Sequence, residues 1–92
     1  LDGVGAIVVR TIAQAFRGNW PGYLHAIRES ARRADSAELR RCAHALRGVL
    51  GNFGTTPAVT LTQQIEVLGS QGSAEQAAPL LPPLEAALQT LD

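Results

Sequence analysis

One histidine and the residues that follow it carry the strongest chemical signal in this sequence. Arg47 lies three positions after His44, Gly48 four positions after it and Gly51 seven positions after it. Residues at these spacings share one face of a helix, so the arginine could meet an anion bound to the imidazole. A nucleophilic ring nitrogen, a nearby cation and open access together suit phosphoryl transfer through a phosphohistidine.

The two glycines are unfavourable in a helix and therefore need an explanation. A glycine in a helix interior is about 1 kcal/mol less favourable than alanine, so Gly48 and Gly51 together would cost about 2 kcal/mol. An ordinary surface histidine gives no reason for that cost. Close approach of a reacting group to His44 does, since side chains at these positions would crowd the ring.

A helical wheel over the residues around His44 separates this histidine from the predicted core. His44 falls opposite a broad apolar arc, so we predict an exposed histidine and a core position for Cys42. The arc comprises Leu39, Cys42, Ala43, Leu46, Val49, Leu50 and Phe53. The residues around His44 are Ala37, Arg40, Arg41, Arg47, Gly48 and Gly51.

Two helices are predicted before the histidine helix. Apolar residues at three- and four-residue spacing run from Val4 to Phe16, and Gly18 ends this stretch. The second helix takes Asn19 as its N-cap and tolerates Pro21 in its first turn. Its predicted core face is Trp20, Leu24, Ile27, Ala31 and Ala34.

The histidine helix and the next helix are separated by a short break. Asp35 and Glu38 predict a capping box at the start of the histidine helix, which runs to about Phe53 and stops at Gly54. The next helix begins at about Pro57. Its predicted apolar face is Ala58, Leu61, Ile65 and Leu68.

The last helix is preceded by a polar turn and contains several prolines. Residues 69–73, GSQGS, are typical of a flexible turn, and Ser73 with Gln76 predicts a second capping box. An interior proline costs a helix about 3 kcal/mol, so we expect a kink or a late start. The prolines are Pro79, Pro82 and Pro83, and the leucines expected to pack after them are Leu84, Leu88 and Leu91.

Short connections between amphipathic helices favour antiparallel neighbours. The sequence therefore predicts an all-α fold, an up-and-down antiparallel four-helix bundle with an additional N-terminal helix. The chain has 92 residues, which is the size of one small domain, and it begins at Leu1 and contains no methionine. We therefore interpret residues 1–92 as a single domain excised from a larger protein.

Composition and charge exclude several classes of function. Eight basic and eight acidic residues balance, which disfavours a nucleic-acid binder and a polybasic membrane surface. The arginines that such a binder would use are Arg32, Arg33, Arg40 and Arg41. No metal site is expected, because His25 has no suitable set of ligands and is more typical of a surface residue. A lone cysteine fits a reducing, intracellular setting.

At His44 the sequence resembles the histidine-containing phosphotransfer (HPt) domain of two-component phosphorelays. That family's motif is a histidine, two residues, a lysine or arginine and a glycine, followed by a stretch of small residues and a second glycine. Here the motif is His44-Ala45-Leu46-Arg47-Gly48, and the second glycine is Gly54. The resemblance follows the helix order over nearly the whole chain and is sharpest from about Asp35 to Glu66.

The resemblance implies a role for each residue of this face. His44 would accept the phosphoryl group, Arg47 would contact it, and Gly48 would leave room for it. Glu66 falls where many members have a glutamine or glutamate that orients the ring. Because Pro57 could shift the register of its helix, Gln63 is a second candidate for that orienting role.

The resemblance also implies the partners and the cofactors. The domain would pass phosphoryl groups between receiver domains without enzymatic turnover, docking through apolar surface and through Arg40 and Arg41. It would bind no cofactor, and Mg²⁺ would sit on the receiver. The parent would be cytoplasmic, either free-standing or the cytoplasmic part of a membrane-bound hybrid histidine kinase. The alternative is a helical protein–protein interaction module in which His44 is incidental.

Overall fold

The computed structural model describes residues 19–51 and 56–91, and every regular element in these ranges is helical. Helix α1 covers residues 19–32, α2 Ser36–Leu50, α3 Pro57–Ser70 and α4 Leu81–Leu91. A 3₁₀ segment, Ala74–Leu80, precedes α4. The predicted additional helix over residues 4–18 and the predicted stop at Gly54 lie outside the described residues.

The first three helices run antiparallel to their neighbours. Asn19 and Tyr23, in the first described turns of α1, share a groove with Arg41 and Ala45 of α2. The C-terminal end of α1 instead lies beside the N-terminal end of α2. Between α2 and α3, the order of contacts is reversed in the same way: Arg40 meets Gly69, and His44 meets Glu66. The predicted helical bundle is therefore confirmed over the described residues.

The last two elements close the bundle against α1 and α2. The backbone N–H of Ala74 donates to Ser36 Oγ at 3.3 Å, which ties the 3₁₀ segment to the first turn of α2. Arg28 of α1 pairs with Glu85 of α4 at 3.3 Å. Within the described ranges, no helix is long and apolar enough to cross a lipid bilayer.

The core follows the predicted apolar faces of α1 and α2 except at Ala34, whereas in α3 the predicted Leu61 and Leu68 are only half-buried and Thr62 and Gly69 take the buried positions. Trp20, Leu24, Ile27 and Ala31 are buried in α1, and the members of the apolar arc from Leu39 to Leu50 are buried except for the half-buried Val49, while Phe53 lies outside the described residues. Thr62 is a buried polar residue, and its hydroxyl donates to the carbonyl of Ala58 at 2.7 Å. The largest fully buried apolar side chains are Ile27, Leu39, Leu46, Leu50, Ile65, Leu84 and Leu88.

Local capping decides where α2 and α3 begin. Asp35 Oδ1 accepts from the backbone N–H of Glu38 at 3.2 Å, so Asp35 is the N-cap of α2. The second bond of the predicted capping box is absent, because the backbone N–H of Asp35 donates to the carbonyl of Ser30 and the Glu38 carboxylate binds Arg41 and Cys42. Thr56 caps α3 by accepting from Val59 N, and Pro57 takes the first helical position, where its missing N–H does no harm. The predicted cap at Asn19 is wrong, because this residue is already helical.

Two helices end in left-handed residues of different type. Ala34 has φ 55° and Gly72 has φ 73°, and in each case the next backbone N–H bonds back to a carbonyl five residues earlier. This is the Schellman arrangement, which favours glycine at the left-handed position. The prediction that Ala34 lies in the core is therefore wrong, since this residue is exposed and terminates α1.

The boundaries of α2 and α3 also differ from the sequence prediction. The α-helix containing His44 ends at Leu50, with Gly51 as its C-cap in a right-handed conformation, instead of running to about Phe53. Helix α3 continues through Gly69 and Ser70, so the flexible turn starts later than predicted. The late start of α4 is confirmed, because the chain forms a 3₁₀ segment around Pro79 and the α-helix begins at Leu81.

The predicted capping box before α4 is wrong. Ser73 makes no side-chain capping bond, and the backbone N–H of Gln76 bonds to the backbone carbonyl of Ser73 at 3.0 Å. The backbone of the 3₁₀ segment therefore satisfies the donor that the serine hydroxyl was expected to bind.

The left-handed Ala34 predicts a stabilising substitution. Ala34→Gly should raise the free energy of unfolding by about 1 kcal/mol, because glycine adopts a positive φ without the steric cost that alanine has there. Urea unfolding followed by circular dichroism measures the change. The matched control is Ala86→Gly in α4, at an exposed helical position, which should lower stability by about 1 kcal/mol. A destabilising effect of Ala34→Gly would contradict the prediction.

Candidate functional site

His44 stands on the outer face of α2, and its ring is held from one side by α3. The His44 side chain is 68% exposed, whereas the Glu66 side chain is only 18% exposed. The two are joined at the ring nitrogen Nδ1, which lies 3.3 Å from Glu66 Oε1. The imidazole is therefore open to solvent while one of its nitrogens has a fixed neighbour.

Arg47 connects the same two side chains from the next turn of α2. Its Nη2 lies 3.2 Å from His44 Nδ1, and its Nε lies 3.2 Å from Glu66 Oε2. The second contact is an ion pair without hydrogen-bond geometry, since Oε2 is buried and has no hydrogen-bond partner. Arg47 thereby neutralises the partly buried carboxylate beside the ring.

The two neighbours of Nδ1 select opposite forms of the neutral imidazole. A carboxylate only accepts and a guanidinium only donates. Glu66 therefore favours the tautomer with the proton on Nδ1, whereas Arg47 favours the tautomer in which Nδ1 carries a lone pair. Only the first tautomer leaves a lone pair on Nε2, which makes no hydrogen bond within the described part of the chain.

Two further arginines border the ring on the preceding turn of α2. Arg40, Arg41 and His44 line a shallow depression of about 170 Å³. Arg41 pairs with Glu38, and this hydrogen-bonded pair raises the pKa of the guanidinium. Arg40 is exposed and has no ion-pair partner among the described residues, which leaves its charge available.

Gly48 and Gly51 both face open space. A Cβ built on either residue would meet no atom within 4 Å, so packing within the described residues does not explain why glycine stands there. Gly48 lies inside α2, whereas Gly51 caps it. The loss of helix stability that is expected for a glycine in a helix interior therefore applies to Gly48 alone.

The structure separates the two candidates for the residue beside the ring. Gln63 is exposed and forms no hydrogen bond with His44, whereas Glu66 reaches Nδ1. Gln63 instead borders an apolar depression with Val67 and Leu80. With Pro57 at the first position of α3, the helix keeps the register that turns Glu66 toward α2.

Cys42 and His25 contribute nothing to this cluster. Cys42 is buried, and burial together with the hydrogen bond to Glu38 raises the pKa of its thiol, which disfavours the reactive thiolate. His25 lies on α1, beside Glu29 and Asp35 in a separate polar pocket. No group of three or more potential metal ligands occurs among residues 19–51 and 56–91.

Sequence reasoning missed the importance of Gly69. This glycine is buried in α3, and a Cβ on it would lie 2.7 Å from the backbone nitrogen of Arg40 and 2.9 Å from its Cα. It therefore marks the place where the backbones of α2 and α3 nearly touch. A glycine just before a polar turn resembles an ordinary helix stop, so only its spacing of four from the buried Ile65 hinted at a core-facing position.

A comparison with protein families agrees with this fold and this cluster. Residues 11–92 match the family model of the Hpt domain, so the chain belongs to the Hpt domain family. Members of this family carry phosphoryl groups in two-component phosphorelays and interact with receiver domains, as carriers rather than as enzymes. Comparisons with curated proteins and with solved structures return no significant match.

The contacts at Nδ1 predict a measurable tautomer change. In the neutral ring we expect the proton on Nδ1 in the wild type, and a shift toward the Nε2–H form in Glu66→Ala, where Arg47 is left as the neighbour of Nδ1. Long-range ¹H–¹⁵N correlation spectra of the imidazole report the two forms directly. Gln63→Ala, on the same helix, is the matched control and should leave the spectrum unchanged. The same tautomer in Glu66→Ala and the wild type would contradict the prediction.

Proposed function

We propose that this domain is a phosphorelay intermediate, which accepts a phosphoryl group on His44 from a receiver-domain aspartate and passes it to another receiver. The observation that carries the proposal is the asymmetric environment of the ring. Nδ1 lies against Glu66 and Arg47, whereas the His44 side chain as a whole is 68% exposed. A partner can therefore reach Nε2 while the opposite nitrogen stays in place.

The transfer is an exchange at phosphorus between a carboxylate and the imidazole. The lone pair on Nε2 of His44 attacks the phosphorus of the aspartyl phosphate in line. A nitrogen–phosphorus bond forms as the bond from phosphorus to the aspartate oxygen breaks, and the carboxylate leaves with the bonding electrons. The proton stays on Nδ1, where Glu66 balances the positive charge that develops on the ring. Transfer to the next receiver reverses these steps.

The three arginines around His44 are assigned two different roles, according to where they lie relative to the imidazole ring. Arg47 is assigned to contact the transferred phosphoryl group, and its contacts with Glu66 and with His44 Nδ1 hold it beside the ring. Arg40 and Arg41 border the depression next to His44 and form the docking surface for an acidic receiver site, since positive charge steers an anionic partner toward the histidine.

The glycines provide access to the ring. Gly48 and Gly51 follow His44 toward the C-terminal end of α2, and they leave the helix backbone uncovered there. No described side chain fills the space beside them. The apolar surface of the helix pair α2 and α3 would then contact the receiver around its phosphorylated aspartate. Bulk at Gly48 would hold the receiver away from the ring.

The remaining requirements lie with the partners. Mg²⁺ supports phosphoryl transfer as a ligand of the receiver's carboxylates, and the domain itself is proposed to bind no cofactor. A histidine kinase of the same chain is a further proposed partner. We place the domain on the cytoplasmic side, either free-standing or as part of a membrane-bound hybrid sensor kinase.

Transfer of radioactive phosphate tests the function directly. The wild-type domain, incubated with a ³²P-labelled receiver and Mg²⁺, should acquire label that is stable to base and labile to acid, as a phosphoramidate is. His44→Gln should abolish this labelling, because the amide cannot act as the nucleophile. His25→Gln is the matched control and should label normally.

The same experiment separates the relay from the alternative interaction module. Transfer to a second, unlabelled receiver should follow the labelling of His44. Label that persists in His44→Gln would overturn the assignment of this residue. Binding of receivers without any labelling of the wild type, across a panel of them, would favour a module in which the histidine is incidental.

Gly48 predicts opposite effects on stability and on transfer. Gly48→Ala should raise the free energy of unfolding by about 1 kcal/mol, because alanine is the better helix former and the added Cβ meets open space. Gly48→Leu should likewise be more stable than the wild type but should slow phosphoryl acceptance, because its side chain lies over the approach to the ring. Urea unfolding and the labelling assay measure the two effects.

Ala86→Leu controls for added bulk. Ala86 is exposed on α4, away from the residues assigned to transfer, and this variant should label at the wild-type rate. Wild-type labelling by Gly48→Leu would contradict the assigned role of Gly48.

A further inference from the structure

The contact between Gly69 and Arg40 lies one turn away from the cluster around His44. Arg40 precedes His44 by four residues on α2, and Gly69 follows Glu66 by three residues on α3. At a rise of about 1.5 Å per residue, the contact is roughly 4.5–6 Å along the helix axes from the paired His44 and Glu66. No flexible segment intervenes, since both stretches lie inside regular helices.

The atoms that a Cβ would meet at Gly69 are the backbone nitrogen at 2.7 Å and the Cα at 2.9 Å, with the Cβ of Arg40 also at 2.9 Å. A flexible side chain could turn away from such a contact, but the backbone of a packed helix cannot. Any residue larger than glycine must therefore move α2 and α3 apart by several tenths of an ångström near this point.

Such a movement would lengthen the hydrogen bond between His44 and Glu66, which is already long. His44 Nδ1 and Glu66 Oε1 are 3.3 Å apart, at the long end of the distances at which an N–H donates to an oxygen. A displacement of several tenths of an ångström would take the pair beyond that range. Arg47 would be affected less, because it lies on the same helix as His44 and would keep its contact with Nδ1.

We propose that Gly69 is a positioning residue for the transfer reaction: it lets α2 and α3 meet backbone to backbone, and this spacing keeps Glu66 within hydrogen-bonding distance of His44 Nδ1. The inference rests on the proposed function for its effect on transfer. Its structural part, the control of the imidazole tautomer by helix spacing, does not depend on phosphorylation.

The test compares the wild type with Gly69→Ala in two measurements. In the neutral ring, ¹H–¹⁵N correlation spectra should show a shift of His44 toward the Nε2–H tautomer. Phosphoryl acceptance from a labelled receiver should be about tenfold slower, as expected when a catalytic contact is displaced by a fraction of an ångström. Ser70→Ala, at the exposed neighbouring position, is the matched control and should change neither quantity.

A double variant distinguishes this role from general damage to the bundle. If Gly69 acts through Glu66, adding Gly69→Ala to Glu66→Ala should cause no further slowing. Equal slowing in both backgrounds, or a wild-type tautomer in Gly69→Ala, would overturn the proposal. Failure of the function itself would differ, because the wild type would then acquire no label while the tautomer comparison would still be readable.

Folding of the variant is checked by circular dichroism and by the dispersion of the amide spectrum. Where Gly69→Ala unfolds in buffer, sucrose is added to restore the folded state and the tautomer is measured there. A variant that stays unfolded under these conditions would also overturn the proposal, because the glycine would then be required for the whole bundle and not for the position of Glu66.

Discussion

The separation of α2 and α3 is the constraint on which the geometry of the site depends. His44 and Arg47 come from one helix and Glu66 from the other, so the contacts of Glu66 with His44 and with Arg47 exist only at one interhelical distance. Two features of the packing set that distance: the buried side chains of α2 and α3, and the glycine where the two backbones approach each other. Leu46 of α2 and Ile65 of α3 are fully buried in the core, and Gly69 allows a close approach of the two backbones at Arg40.

The ion pair at the site differs from the ion pairs that form within a single helix. Arg32 with Glu29 and Arg41 with Glu38 are pairs within one helix with well-exposed arginines, and such pairs contribute little to stability. The pair of Arg47 with Glu66 joins two helices and includes a carboxylate that is only 18% exposed. Removing Arg47 would leave the partly buried Glu66 carboxylate without its guanidinium partner, whereas Arg47, at 38% exposure, could be solvated without Glu66.

The sequence was sufficient for the features that depend on periodicity and on local capping. The apolar arc of α2, the N-cap at Asp35 and the outward position of His44 all follow from spacing along one helix. Features that depend on how the chain turns between helices were not predictable in the same way. Ala34 was assigned to the core because it continues the apolar spacing, yet the chain needs a left-handed residue there to enter α2.

The features that join two helices were the hardest to obtain from the sequence. The choice between Glu66 and Gln63 depends on the rotation of α3 about its axis, which Pro57 left open until the structure showed it. Gly69 was assigned to a turn because glycine and serine are frequent there, and its role becomes visible only with Arg40 opposite it. The spacing of residues along the sequence shows which of them share a face of one helix, but it does not give the distance between two helices.

The exposure of His44 has a consequence for how long a phosphoryl group would remain on it. Enzymes that protect reactive intermediates enclose them and exclude water, but the His44 side chain is 68% exposed and lies beside only a shallow depression. A phosphoramidate formed here would meet bulk water on one side at all times. Its lifetime in the isolated domain would then be governed by the intrinsic slowness of its hydrolysis, and only a docked partner could shield it.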